Sequence, residues 1–275
     1  MPSMKNSKCF TTIIILNWNG IEDTRKCLNS LFQVNNKNFN IIVIDNGSRQ
    51  DEASILKKEY GSKIEVHRLK ENFGYSGGNN YGITIAKKKY NPDYYLLLNN
   101  DVKVEKYFLE LLIKSASSEN KIGVVGPVIF DYFQNNKIDF SGGKINWLLA
   151  RPYHYVDFPK EKRTAEWITG CSFLIKKEVV RKIGLLDDNF FAYFEDIAYC
   201  LKVKNAGFKC VVESKSKIYH KVSGSSDRKG IFYTYLISRN RILFVNNYTP
   251  KLYQLYFFIF NFLKLIAVII FFTFT

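Results

Sequence analysis

Acidic residues are scarce in this 275-residue chain: 25 Asp and Glu stand against 40 Lys and Arg, leaving a formal charge of +15 at pH 7. That surplus points to an anionic partner, whether a nucleotide, a nucleic acid or a membrane surface. The five cysteines, Cys9, Cys27, Cys171, Cys200 and Cys210, form no CxxC pair and cannot all pair with one another. No secretory leader is read in residues 1–10, so a reducing cytosol is the expectation. Cys171 and Cys210 sit in apolar runs and read as small buried side chains. No internal repeat or low-complexity linker divides the chain, whose length suits one large domain, or one domain plus a short appendage, at roughly 100–200 residues per domain. The dinucleotide fingerprint GxGxxG is missing from the first strand–helix turn, and GxxxxGK[ST] occurs nowhere, so simple dehydrogenase and P-loop readings lose ground. What is present is ordinary for a globular protein: 47% hydrophobic and 24% charged residues. This excludes a wholly disordered chain and a polytopic membrane protein.

The first half alternates strand and helix patterns. Residues 11–16 are a β-branched run, followed by Ile21, Leu28, Leu31 and Phe32 on one helical face. Apolar strands are predicted at 39–44, 64–69 and 94–98, with helices at 51–60 and 77–89. Strand runs without polar alternation imply cover on both faces. The fold class predicted is α/β: a mostly parallel, twisted, doubly wound sheet flanked by helices. The second half adds a strand at 122–129, an antiparallel excursion at 138–147, a short strand after Thr169-Gly170-Cys171, a helix at 195–206 and a last strand at 208–212 before Ile218-Tyr219-His220. One catalytic-sized domain is expected to about Asp227 (residues 1–229), with a C-terminal helical segment from Gly230 to 275.

That segment turns steadily apolar. Residues 252–275 are interrupted only by Gln254, Asn261, Lys264 and a few hydroxyls, and about 20 apolar residues suffice to span a bilayer. Lys264 at the bilayer centre would cost about 2.5–3.5 kcal/mol. A helix lying in the interface avoids this cost because the lysine can snorkel. Eleven Lys and Arg against Glu213 and Asp227 in residues 199–251 make a cationic approach suited to an anionic leaflet. The competing readings are a buried C-terminal helix and a dimer interface.

In doubly wound sheets, ligands collect beyond the carboxyl ends of the strands. The four predicted strand ends run into Asn17-Trp18-Asn19-Gly20, Asp45-Asn46-Gly47-Ser48, the stretch from Asn72-Phe73-Gly74 to Gly77-Gly78-Asn79-Asn80, and Asn99-Asn100-Asp101. Any one is a turn signal. Four in succession at four strand ends define a crevice.

With Thr169-Gly170-Cys171 and Phe194-Glu195-Asp196 following in order, these motifs resemble the inverting family-two glycosyltransferases of the GT-A fold, particularly the bacterial rhamnosyltransferase-like branch. The resemblance extends from about Thr11 to Arg241. It implies transfer of a sugar from a nucleoside diphosphate donor, UDP- or dTDP-linked, to an acceptor hydroxyl, with Mg2+ or Mn2+. It places Asp45 against the N3–H of uracil or thymine, with Asn17 beside the same base; a plain turn cap is the alternative for Asp45. Asn72, Gly74, Gly78, Asn99 and Asn100 fall on the donor side, where glycines permit close backbone approach and a helix N-terminus favours negative charge. Asp101 matches the final aspartate of the family's metal-binding DxD. Asn99 replaces the first, which puts a strict metal requirement in doubt, although magnesium uses only one or two carboxylates plus phosphates. His220 matches a histidine that joins the metal shell in related enzymes, while a lone histidine is also a common structural residue.

Asp196 matches the family's catalytic base, with Glu195 orienting acceptor hydroxyls or capping the helix. A single displacement needs a carboxylate to take the acceptor's proton, and the apolar run before Glu195 would raise the pKa of Asp196. Acids at a helix start also answer the macrodipole. Thr169, Gly170 and Trp167 line the acceptor side, with Trp147 and Tyr193 as further stacking surfaces. Lys221, Arg228 and Arg239 are candidates to neutralise the departing diphosphate. The acceptor expected is a saccharide or lipid-linked saccharide of surface polysaccharide synthesis, handled at the cytoplasmic face of the cell membrane on an anionic surface, with no nucleic acid partner. The alternatives are a nucleotidyltransferase, which normally carries a glycine- and arginine-containing loop after strand one, and a non-catalytic basic membrane- or nucleotide-binding protein.

Overall fold

In the computed structural model, which describes residues 9–134, 136–221 and 230–274, the first half runs β1 (Thr11–Asn17), α1 (Ile21–Phe32), β2 (Phe39–Asp45), α2 (Glu52–Tyr60), β3 (Glu65–Arg68), α3 (Gly74–Lys89) and β4 (Tyr94–Asn99). The second half continues β5 (Val102–Val104), α4 (Phe108–Ser117), β6 (Ile122–Asp131), β7 (Ile138–Phe140), β8 (Gly143–Asn146), β9 (Arg151–His154), β10 (Arg163–Ala165), β11 (Ser172–Lys176), α5 (Lys177–Ile183), α6 (Glu195–Asn205), β12 (Lys209–His220), α7 (Ile231–Tyr248) and α8 (Lys251–Phe274).

A ten-stranded sheet orders these as β10-β12-β6-β11-β4-β1-β2-β3, with β5 on β12 and β7 on β6. Strands β3, β2, β1 and β4 are parallel, as the crossover helices require. Ile13, Ile14 and Ile15 of β1 are wholly buried, and α1 and α3 both pack on this strand. That double cover explains the unbroken apolar run. Strand β11 enters antiparallel between β4 and β6, and the excursion read at 138–147 is realised as β7 antiparallel to β6 and a β8–β9 hairpin.

Two boundaries move and one helix is added, each for a physical reason. Helix α3 starts at Gly74, three residues before the predicted start, because Gly74 takes a φ of 72° that opens the first turn. The last strand runs on to His220 because register shifts between Glu213 and Lys217 let one strand keep β6 while its end reaches β5. Helix α4, not anticipated from the sequence, buries Phe108, Leu109, Leu112 and Ala116 at helical spacing.

Helix α7 lies on α6 and buries Leu236, Asn240, Phe244 and Val245. Along α8, Phe257 is buried with Ala150 and Val245, while Leu252, Leu255, Phe258, Ile259, Phe262 and Leu263 are exposed. Among the described residues, no helix is long and apolar enough to cross a membrane. The Asp227 boundary and Arg228 lie outside the described residues.

Candidate active site

The parallel register sets the ends of β1 and β2 level, pairing Asn17 with Asp45, and puts Asn99 beside Leu16 on the other flank of β1. The chain departs to opposite sides of β1 here, the switch point where an open α/β sheet leaves a crevice. A buried polar chain ties the strand ends together. Asn17 Nδ2 donates to Glu52 Oε2 at 2.7 Å and Thr24 Oγ1 donates to Asn17 Oδ1 at 2.7 Å. Asn100 Nδ2 donates to Thr24 Oγ1 at 3.0 Å and to the Gly20 carbonyl at 3.2 Å. The amides of Asn17 and Asn100 are thus engaged in fixing the frame of the crevice. Glu52, unremarked in the sequence, is the acceptor at its centre and also takes the Gly20 N–H at 3.2 Å.

Asp45 is fully buried. Its Oδ1 accepts the Ser48 N–H at 3.1 Å, the turn cap weighed from sequence. Its Oδ2 has no hydrogen-bond partner and stands 3.6 Å from Arg68 Nε. A buried carboxylate oxygen with an open lone pair is suited to a ligand N–H, since leaving it unmade is costly. Behind it, Asn72 Oδ1 accepts both Asn46 Nδ2 and the Gly74 N–H at 2.8 Å, knotting the glycine-containing loop. The close approaches made by these glycines are to protein. A Cβ on Gly74 would lie 2.1 Å from the Phe191 carbonyl, and one on Gly78 2.3 Å from Leu16 Cδ1. Gly78 lets α3 sit down on β1, and Gly74 lets the donor-side loop meet the segment before α6.

Asp101 follows β4, and the pairing of His220 with Val102 in the next strand brings the two side chains together. His220 Nε2 is 3.3 Å from Asp101 Oδ1, and His220 Nδ1 is 3.9 Å from Asp139 Oδ2. Asp139, on β7, gave no signal in the sequence. Asp101 Oδ1 and His220 Nδ1 are buried and make no hydrogen bond. Among the described residues, no group of three or more His, Cys, Asp or Glu gathers into a metal cage. Asp101 Oδ1 and His220 Nε2 meet at one spot, and a carboxylate oxygen beside an imidazole nitrogen fits a magnesium or manganese ion. A cavity of about 100 Å³ opens here, lined by Asp101, Asp23, Lys26 and Lys221 among others. Lys221 Nζ is held by Asp23 at 3.1 Å, and its backbone N–H donates to the Asp101 carbonyl. A second hollow of about 440 Å³, lined by Lys87, Asn91, Tyr95, Lys177, Val180 and Arg181, contains none of these acids.

The acceptor-side residues assemble around the start of α6. Asp196 Oδ2 accepts the Gly170 N–H at 2.9 Å and Oδ1 the Ile197 N–H at 2.8 Å. Burial drives the Asp196 pKa upward against the pull of those two N–H groups. Glu195 is buried with Oε2 unpartnered, and burial together with the neighbouring Asp196 charge pushes its pKa well above the usual carboxylate range. Tyr75, missed in the sequence, joins both sides: its N–H donates to Phe191 O and its hydroxyl to Gly170 O, each at 2.6 Å. Thr169 Oγ1 accepts the Cys171 N–H at 3.4 Å, and the Asn99 N–H donates to Cys171 O at 2.9 Å. Trp167 is 4% exposed, its indole N–H on the Lys144 carbonyl and its ring beside Phe140 and His154. This tryptophan is core, so its ring offers no sugar-stacking face. Tyr193 is half-buried, edge-on to Tyr233, and Arg239 Nη1 is spent on the Asn189 carbonyl.

Residues 12–184 match the family model described as glycosyl transferase family 2. The chain belongs to glycosyl transferase family 2. A low-salt glycan biosynthesis hexosyltransferase of Haloferax volcanii is 25% identical over 249 residues, covering 87% of this chain and 76% of the relative. A dTDP-rhamnosyl transferase of Shigella flexneri is 23% identical, covering 80% of this chain and 71% of that one. An N-acetylglucosaminyl-diphospho-decaprenol L-rhamnosyltransferase of Mycobacterium tuberculosis is 21% identical over 73% of this chain and 72% of its own length. Among solved structures, GalNAc-T7 with UDP, GalNAc and Mn2+ superposes with a TM-score of 0.67 at 16% identity, over 78% of this chain and 44% of that one. The mannosyltransferase of Pyrobaculum calidifontis with GDP-Man and Mn2+ gives 0.62 at 11% identity, over 92% and 69%. The fold is GT-A, and the protein is a nucleotide-sugar-dependent glycosyltransferase.

The family match of this glycosyltransferase ends before Glu195, Asp196 and His220. Two of them are joined to the matched part by geometry: Asp196 through the Gly170 N–H, His220 through Asp101.

Proposed function

We propose that this glycosyltransferase moves a sugar, rhamnose first among the candidates, from a dTDP- or UDP-linked donor to a saccharide or lipid-linked saccharide acceptor, with inversion, at an anionic membrane face. The observation that carries the reading is the short turn Thr169-Gly170-Cys171. One of its N–H groups holds the Asp196 carboxylate, one of its carbonyls takes the Asn99 N–H, and its cysteine thiol meets the His220 imidazole. The proposed proton acceptor and the proposed cation ligands therefore flank a single wall.

In this reading Asp45 Oδ2 accepts the N3–H of the pyrimidine, with the Arg68 guanidinium giving way. Asp101 and His220 would hold Mg2+ or Mn2+, which when bound would neutralise charge on the diphosphate. Asp196 takes the proton of the acceptor hydroxyl as its oxygen bonds to the anomeric carbon. The bond from that carbon to the diphosphate oxygen breaks on the opposite face, and the nucleoside diphosphate leaves with the electron pair. A raised pKa suits Asp196 to this task, because a more basic carboxylate takes a proton more readily. Residues 1–229 form the catalytic domain. The exposed apolar side chains of α8 and the +15 charge support a tail that lies on the membrane where a lipid-linked acceptor resides. The relatives named for dTDP-rhamnosyl transfer and for a decaprenol-linked substrate favour the same choice.

The test is a thermal-shift screen of UDP-, dTDP- and GDP-sugars with Mn2+. A ligand at 100 times its Kd stabilises by about 2.7 kcal/mol. A dTDP- or UDP-sugar is expected to raise the melting temperature and to be turned over, with Asp196→Asn binding the donor but not transferring. A response confined to GDP-sugars, or to none, overturns the donor assignment.

A further inference from the structure

Helix α7 carries no residue of the donor, cation or acceptor sites apart from the candidate Arg239, yet it holds a wholly buried asparagine. A polar amide on the packed face of a helix is unfavourable unless its hydrogen bonds are met. Those of Asn240 are met, its two N–H donations by one loop. Its Nδ2 donates to the Ala192 carbonyl at 2.7 Å and to the Tyr193 carbonyl at 2.9 Å, while its Oδ1 accepts from Arg239 Nη1 at 2.8 Å. The same Arg239 nitrogen donates to the Asn189 carbonyl at 3.0 Å. Three carbonyls of the segment between α5 and α6 are thus gathered by two adjacent residues of α7.

The gathered segment is under backbone strain. Tyr193 and Phe194 both have φ of 73°, a conformation that bulky aromatic residues rarely adopt, let alone in succession. Strain of this kind persists only where the surroundings over-determine it. Here α7 supplies them: besides Asn240, Phe244 packs on Phe194 with ring centroids 5.4 Å apart, and Tyr233 meets Tyr193 at 5.1 Å. Phe194 is also the residue from which α6 starts, and it has no side-chain cap. The direction of the first turn of α6, which carries Glu195 and Asp196, is therefore set by the Tyr193–Phe194 backbone.

We propose that Asn240 is a positioning residue for the reaction: by donating to the Ala192 and Tyr193 carbonyls it locks the left-handed pair that aims Asp196 at the Gly170 N–H and the acceptor. This rests on the reading of Asp196 as proton acceptor. Without the two donations, the carbonyls lose their partners and the backbone relaxes to negative φ. The first turn of α6 then rotates away from Gly170. The Asp45 end of the donor side is built on β1 and β2, while the donor-side loop meets this segment at Phe191, whose carbonyl takes the Tyr75 N–H.

The test uses the full chain with Asn240→Ala and Asn240→Asp, the latter keeping the shape but lacking the N–H donors. The readouts are transfer from the sugar nucleotide that the wild type turns over, nucleoside diphosphate affinity and amide hydrogen exchange across residues 191–197. Both variants are expected to lose about tenfold to a hundredfold in kcat, the scale of a roughly 1 Å misplacement. Donor KM and nucleoside diphosphate affinity stay within about twofold, and exchange rises in 191–197 alone, as local opening predicts. Adding Tyr193→Gly to Asn240→Ala recovers much of the kcat, since glycine adopts positive φ without a clamp. Unchanged kcat overturns the proposal, as does a parallel loss of nucleotide affinity with no recovery by glycine. If Asn240→Ala does not fold, Asn240→Ser, which retains one hydroxyl donor, is read by the same criteria. Transfer retained by Asp196→Asn shows instead that the underlying reading is wrong.

Discussion

The Tyr75 hydroxyl donates to the Gly170 carbonyl at 2.6 Å, and this one bond crosses from the donor-side loop to the acceptor wall. Gly170 has no room for a side chain, since a Cβ there would stand 2.6 Å from Tyr75 Oη. Its N–H goes to Asp196. Tyr75 thus holds, through its carbonyl, the residue whose N–H holds the proposed proton acceptor. Tyr75→Phe leaves the Gly170 carbonyl without its donor and is expected to cost about 1–3 kcal/mol of stability. Chemical denaturation should show that loss alongside a fall in transfer; unchanged stability would mean the bond is dispensable.

The pairing of Asp101 with His220 makes a cation requirement testable. A chelator should stop nucleoside diphosphate release, and Mn2+ should restore it. Asp101→Ala should abolish release, while His220→Ala should raise the Mn2+ concentration needed by about tenfold to a hundredfold, the range known for groups around a metal. Release that is indifferent to chelation would remove the cation from the reading.

The raised pKa of Glu195 has a definite sign in stability. Its folded form holds the proton more tightly than the unfolded chain does. The resulting stabilisation is complete below the ordinary carboxylate pKa and is lost as pH rises toward the folded value. Glu195→Gln removes that slope. Its melting temperature is therefore expected to exceed the wild type's at neutral pH and to converge with it in acid. Since Asp196 is raised too, the rate should climb with pH through a midpoint above that of an ordinary aspartate. A flat difference between Glu195→Gln and wild type across pH would contradict the burial argument.

Trp167 distinguishes packing from sugar binding. Its ring is enclosed by Phe140, His154 and Gly143, whose added Cβ would lie 2.1 Å from the indole. Trp167→Ala should cost about 3–5 kcal/mol, as large-to-small core changes do, while Trp167→Phe should leave the acceptor KM unchanged. A shift in acceptor KM without loss of stability would return the indole to the acceptor side.

For α8, co-sedimentation with vesicles reads membrane association. The full chain is expected to pellet with anionic vesicles and not with neutral ones, and salt should weaken binding as charge screening predicts. Phe258→Glu with Phe262→Glu, both at exposed positions, should lower binding without affecting nucleoside diphosphate release. Equal pelleting of this double variant would exclude α8 as the contact.

The sequence by itself determined the parallel half of the sheet and the strand ends on which the crevice lies, because apolar runs and turn residues report burial and reversal locally. It also identified Asp45, Asp101 and Asp196 as residues of interest, through short motifs in a fixed order. Only the tertiary structure decided what those side chains meet. His220 reaches Asp101 because a register shift carries β12 on to pair with β5, and no local pattern encodes a register between distant strands. Trp167 is core because Gly143 and Phe140 fold over it. Asn17 and Asn100 are spent on the frame because Thr24 and Glu52 come within hydrogen-bonding reach. Asn240 looks like any polar residue on a helix until α7 docks and two carbonyls of a strained loop arrive at its amide. Periodicity tells a chain which faces are covered; which atoms do the covering is settled by contacts between segments far apart in sequence.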